Sequence, residues 1–132
     1  MTMVLGSMGA SAVLLYGAPT APFSQPRNLF GGHILACMVG VTCHEFISLP
    51  MGSPVLAAPV AVSSTIVLMK LTNTVHPPAG GTVLIAVLGG PELHALGYWL
   101  CVPTALDAGI LFAVAMANNL LGVALPGDVE VM

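Results

Sequence analysis

The sequence predicts an all-α fold, a polytopic transmembrane helical bundle of about four to five membrane segments, and three observations carry that expectation. First, 57% of the 132 residues are apolar, against two basic and five acidic residues. A water-facing surface carries about a quarter charged residues, so the solvent for most of this chain is lipid. Second, three apolar segments reach the ~20 residues that a helix needs to cross ~30 Å of hydrocarbon. Third, a short segment, "NTVHPPAGGTVLIAVLGG", places helix breakers ahead of a brief apolar run and has a counterpart near the N-terminus.

In chain order, Thr2–Gly17 is the first apolar segment, ended by the proline-rich loop "APTAPFSQPRNLF". Gly31–Leu49 is the second and is closed by "PMGSP". Val55–Val75 is the third, with Pro59 in its first turns, where a missing N–H costs least. The fourth, Ala79–Gly89, is only about 16 Å long as a helix, or half a bilayer. Tyr98–Leu121 is the fifth and spans with ease, and Asn118 and Asn119 are expected to stop it. Residues 122–132 form an acidic tail, so the expectation is one transmembrane domain over 1–132.

The charge balance removes one class of partner. A net charge of −3 on so few ionisable groups gives no cationic field for nucleic acid, which is bound by displacing counterions with Lys and Arg. Cys37, Cys43 and Cys101 lie in apolar runs without a CxxC pair, so buried thiols are expected, and neither a metal nor another cofactor. No enzymatic constellation stands out; a metal enzyme built on His and Cys would require ligands to converge from distant segments.

Small residues recur every fourth position at Gly32, Ala36 and Gly40, and again at Ala105, Gly109, Ala113 and Ala117. Such stripes let helix backbones approach closely in lipid. If the first three segments all cross, Arg27 and the end of the third segment, with Lys70, fall on one side, which the positive-inside rule would make cytoplasmic or stromal. Tyr98 and Trp99 read either as interfacial anchors or as a packed aromatic pair.

"SMGASAVLL" aligns with "PAGGTVLIA": Gly9 falls on Gly80, Ala10 on Gly81 and Ser11 on Thr82. Two short segments that cross in opposite directions form an inverted repeat, a plan in which broken helices meet near the bilayer midplane. A helix start offers unpaired N–H groups and the positive end of a dipole, and glycine lets a ligand come close. Gly9, Ala10, Ser11, Gly80, Gly81 and Thr82 are therefore the expected anion donors, with His76 beside the second start as a donor or proton partner. The competing reading is that these glycines serve helix packing alone.

The remaining polar residues divide between pathway and interface. Lys70 either snorkels to the headgroups or lines a cationic path, and Asp107 is either a proton site or half of an ion pair. Arg27, with Gln25 and Asn28, reads as a topology determinant in preference to an anion mouth, and His33 as a helix-end residue. His44 and Glu45 are adjacent, about 100° apart on a helix, so they are expected as solvated helix-end groups rather than a metal face.

The blocks "GSMGASAVLLYGAP", "QPRNLFGGH", "LTNTVHPPAGGT" and "NNL", in this order, resemble the HPP family of integral membrane proteins, named for the motif at His76, Pro77 and Pro78. The resemblance covers roughly Gly6 to Leu120. It implies a small multi-pass helical protein with a proposed transport role, some members being associated with nitrite transport in plastids and photosynthetic bacteria. It also implies a plastid envelope or bacterial inner membrane, and a further apolar helix ahead of the first block in relatives. The expected function is transport of a small inorganic anion, nitrite or nitrate. The alternative is a non-transporting membrane subunit that docks a partner through small-residue helix faces; a homo-oligomer is compatible with either.

Overall fold

A computed structural model describes residues 5–120, and the acidic tail at 122–132 lies outside them. Among the described residues the chain is helical, without a strand. We number five helices: α1 Leu5–Gly17, α2 Pro26–Met51, α3 Pro54–Thr72, α4 Ala79–Leu88 and α5 Cys101–Leu120. A turn at Pro22–Ser24 leads into α2, and two short turns, Pro91–His94 and Gly97–Leu100, lead into α5.

Local chemistry places the boundaries. α2 starts at Pro26, five residues earlier than its apolar run suggests, because proline at a first helical position gives up only an N–H that would be unpaired anyway. A π-helical turn at His44–Ser48 interrupts α2, which ends where Gly52 takes a left-handed conformation (φ 62°). Ser53 then caps α3, its hydroxyl accepting from the Val55 N–H. α3 stops at Thr72 because Asn73 is left-handed (φ 54°) and the Thr74 N–H turns back to the Met69 carbonyl at 2.9 Å, a Schellman closure. α5 runs through Asn118 and Asn119 to Leu120, so neither asparagine ends it there.

Among the described residues three helical stretches are long and apolar enough to cross a membrane: Pro26–Met51, Pro54–Thr72 and Gly97–Asn119. α1 and α4 are shorter, α4 about 15 Å. α2 is the centre of the bundle and packs against α3, α4 and α5, while α1 packs against α5 and α4.

Small side chains are prominent inside the bundle, and many large apolar ones face outward. Ala36, Ala57, Ala61 and Ala79 are fully buried, whereas Val55, Leu71, Leu106 and Ile110 are each more than 60% exposed. This suits a protein whose solvent is hydrocarbon, where large apolar groups gain nothing by burial and small ones permit close backbone contact. Gly40 shows the distance involved: a Cβ there would stand 2.5 Å from the Ala86 Cβ and 2.9 Å from the Val83 carbonyl oxygen. The stripe at Gly32, Ala36 and Gly40 is thus consumed inside the bundle. On α5 the expected stripe is displaced: Ala108 and Ala115 are buried, while Ala113 and Ala117 face outward. The neighbouring face of α5 is turned inward because Phe112 meets Phe30 edge-on, with centroids 6.1 Å apart.

Candidate functional site: a buried imidazole and hydroxyl chain

Three of the four motif blocks converge on one place. Ser7 and Ser11 lie one turn apart on the same face of α1, His33 is in the second turn of α2, His76 is in the turn between α3 and α4, and Thr82 is in the first turn of α4. All five are buried, and Ser11, His33 and His76 have no exposed surface.

The turn that carries His76 is clamped to α2. The Arg27 guanidinium donates to the Thr72 carbonyl at 2.8 Å, at the negative end of α3, and the Asn28 amide donates to the Val75 carbonyl at 2.8 Å. Gln25 donates to the carbonyls of Pro19 and Ala21 on the preceding loop. Gly32 lets the turn come down: its missing Cβ would sit 2.6 Å from the Cβ of His76 and 3.2 Å from the Thr74 carbonyl oxygen.

Within that clamp the polar atoms join without a gap. His76 Nδ1 donates to the Phe23 carbonyl at 2.8 Å. His76 Nε2 and His33 Nε2 each lie 2.8 Å from the Ser11 hydroxyl, and the two rings stand 5.0 Å apart between centroids. His33 Nδ1 lies 2.7 Å from the Thr82 hydroxyl, which donates to the Ser7 hydroxyl at 3.0 Å. The Ser11 hydroxyl is also 3.2 Å from the Ser7 carbonyl. An unpaired buried polar group costs about 1–3 kcal/mol, so a chain like this is tolerated only when every member has a partner.

The contacts also orient the twin segments. Ser7 packs on Gly81 and bonds Thr82, whereas Ser11, further along α1, meets His76, further back toward the start of α4. Rising numbers on α1 thus match falling numbers on the other side, so α1 and α4 run in opposite senses, as an inverted repeat requires.

The expected donors part company. Ser11, His76 and Thr82 come together in the chain, and Gly81 packs against it. Gly9 and Ala10 are exposed, and Gly9 lies inside α1 rather than at a helix start, because one glycine weakens a helix by about 1 kcal/mol without breaking it. At the second start the N–H groups of Ala79, Gly80 and Gly81 already donate to the carbonyls of His76, Pro77 and Pro78 at 2.9–3.0 Å. Lys70 is exposed and Asp107 half-buried, and neither is hydrogen-bonded to the chain.

Three members were not legible as site residues: His33, Ser7 and the Phe23 carbonyl. His33 is a core residue rather than a helix-end one because α2 begins a full turn and more ahead of it. The adjacent Gly31 and Gly32 were the available signal, since they mark the close approach that buries it.

At the other end of α2, His44 is buried against expectation, while its neighbour Glu45 is exposed. The π turn holds His44 against His94, the rings stacked with centroids 3.4 Å apart and 21° between planes. Burial, and then the neighbouring His44, push the His94 imidazole below its ordinary pKa. Tyr98 is tied to Thr42 through hydroxyls 3.0 Å apart, and Trp99 points outward, 76% exposed, as an interfacial anchor would. Among the described residues no three His, Cys, Asp or Glu side chains converge as a metal site would need.

Comparison with known proteins places this architecture. Two transmembrane proteins of Dictyostelium discoideum are similar: one is 38% identical over 119 residues, 90% of this chain and 42% of that protein, and the other 38% identical over 116 residues, 88% of this chain and 37% of that protein. The chain thus spans about two fifths of the length of these relatives. No solved structure matches. The family model for the HPP transmembrane region matches residues 1–124, which takes in every residue of the imidazole and hydroxyl chain, and this protein belongs to the HPP family of transmembrane proteins.

Proposed function

We propose that this chain is the membrane domain of a transporter for a small inorganic anion such as nitrite or nitrate, with His76 and Ser11 at the point where the anion is handled. One observation supports the reading: five buried polar side chains, Ser7, Ser11, His33, His76 and Thr82, are joined at the meeting of two short, oppositely directed helices. Ionisable groups at membrane depth are costly and are retained for function, and opposed short helices are where secondary transporters place substrate. Imidazole N–H and hydroxyl groups are hydrogen-bond donors suited to an oxyanion of single charge. The reading moves the anion from the backbone donors of α4, which are occupied, to the side chains beside them.

The test is anion flux in liposomes at clamped pH, comparing nitrite, nitrate and chloride, with His76→Ala alongside. Selective flux in the parent protein, reduced at least about tenfold in a folded His76→Ala variant, is the expected result, equivalent to about 1.4 kcal/mol of lost stabilisation. Absence of flux from a folded protein would favour the docking-subunit reading. That reading has lost its α2 face to internal packing and retains Ala113 and Ala117 on α5.

A further inference from the structure

Proton bookkeeping in the buried chain leads to a specific device. A carbonyl can only accept, so the Phe23 oxygen requires a proton on His76 Nδ1 at all times. With both imidazoles neutral, His76 Nε2 can only accept, and the Ser11 proton turns to it in place of the Ser7 carbonyl, which lies 3.2 Å from the same hydroxyl. Ser11, having given its proton, accepts from His33 Nε2–H, and His33 Nδ1 accepts from Thr82, whose bond with Ser7 then has to run from Ser7 to Thr82, the reverse of the direction it has in the structure. With every contact kept, one boundary condition orders the protons from Thr82 to Phe23.

The same heavy atoms hold a second complete order containing one more proton. His76 then carries protons on both nitrogens and donates to Ser11, Ser11 to His33 Nε2, His33 Nδ1–H to Thr82, and Thr82 to Ser7. The last step is the direction in which Thr82 and Ser7 are disposed in the structure. The two orders interconvert by one uptake and four transfers. A proton binds at Ser7, the Ser7 proton moves to Thr82, that of Thr82 to His33 Nδ1, that of His33 Nε2 to Ser11, and that of Ser11 to His76 Nε2. Each O–H or N–H bond broken is matched by one formed, and the single added charge appears on His76.

We propose that Ser7, Thr82, His33, Ser11 and His76 form a proton relay, in which a proton received at Ser7 is delivered to His76. Donor–acceptor distances of 2.7–3.0 Å run along the whole path, and the Thr82–Ser7 step alone has to reverse the direction it has in the structure. Both ends lie next to exposed residues, Gly6 beside Ser7 and Pro77 beside His76. The groups facing the two imidazoles from packed elements are uncharged: Ser7 and Ser11 on α1, Thr82 on α4, and Phe23 and Thr74 on the connecting turns. Of the charged side chains on neighbouring elements, Arg27 is engaged with Thr72, Lys70 is exposed, and Asp107 is half-buried without a bond to either ring. Cys37, one turn beyond His33, packs with Leu100 and Cys101. A relay of this kind would let the anion's passage draw on a proton gradient. That coupling rests on the transport reading, whereas the relay itself does not.

The experiment is nitrogen-15 NMR of histidine-labelled protein in lipid nanodiscs across a pH series. In the parent protein, His33 is expected to exchange its Nε2–H tautomer for Nδ1–H at the same midpoint at which His76 gains its second proton. Ser11→Ala should separate the two events by about one pH unit or more, and Ser11→Thr should keep them together. A His33 tautomer that stays constant through the His76 titration in the parent protein would overturn the relay, and this needs no variant to fold. Linked titration with no anion flux would leave the relay standing and remove the transport reading; flux with unlinked titration would do the reverse.

Discussion

Ser11 has one proton and three acceptors within reach: the nitrogens of His33 and His76 and the carbonyl of Ser7. Which of them it serves sets which ring nitrogens carry a proton, so Ser11, expected from the sequence as an anion donor at a helix start, is the pivot of the buried chain. His33 has the structural counterpart of that role, since it joins Ser11 on α1 to Thr82 on α4. His33→Ala would leave both hydroxyls without their imidazole partner and open a void of ring size. The expected loss is about 2–5 kcal/mol, read as a lowered Tm in detergent. An unchanged Tm would mean that the chain contributes nothing to holding these helices together.

At the scale of the element, the helices are joined where they lack side chains. Gly32 and Gly80 differ only in what surrounds them, and that difference makes a test. Gly32→Ala would drive a methyl into His76, at a cost of about 1–3 kcal/mol. Gly80→Ala faces open space and should be neutral or stabilise by up to about 1 kcal/mol, since alanine is the better helix former. Thermal unfolding of the two variants, compared side by side, checks the contrast. A stability loss at Gly80 equal to that at Gly32 would place a packing partner over the start of α4 that the bundle described here does not contain.

Over the whole molecule, one bond orients the bundle. Arg27 at the start of α2 reaches Thr72 at the end of α3, so the two ends share a side, as the two cationic residues had suggested from sequence. The opposite end of α2 turns at Gly52. In a variant with the native cysteines replaced, single cysteines at Gln25 and Asn73 are expected to react with an impermeant maleimide from one face of sealed vesicles, and one at Gly52 from the other. Labelling of all three from the same face would refute α2 and α3 as crossing helices.

The sequence by itself determined that this chain lives in lipid, that its ordered elements are helices, and roughly where each begins, because solvent preference and proline or glycine punctuation act locally. The motif at His76 and the glycine-rich counterpart at Gly9 also marked two segments whose side chains meet in the buried chain. Tertiary structure decided what those segments do. The N–H donors at Gly80 and Gly81 are occupied by turn bonds, and Gly9 lies within α1, so the polar contacts between these segments are made by side chains. His33 and His76 are 43 positions apart and meet only because Gly32 lets a clamped turn descend onto α2. Hydrogen-bond partners depend on distances of a few ångströms between remote residues, and periodicity along one chain carries no record of them.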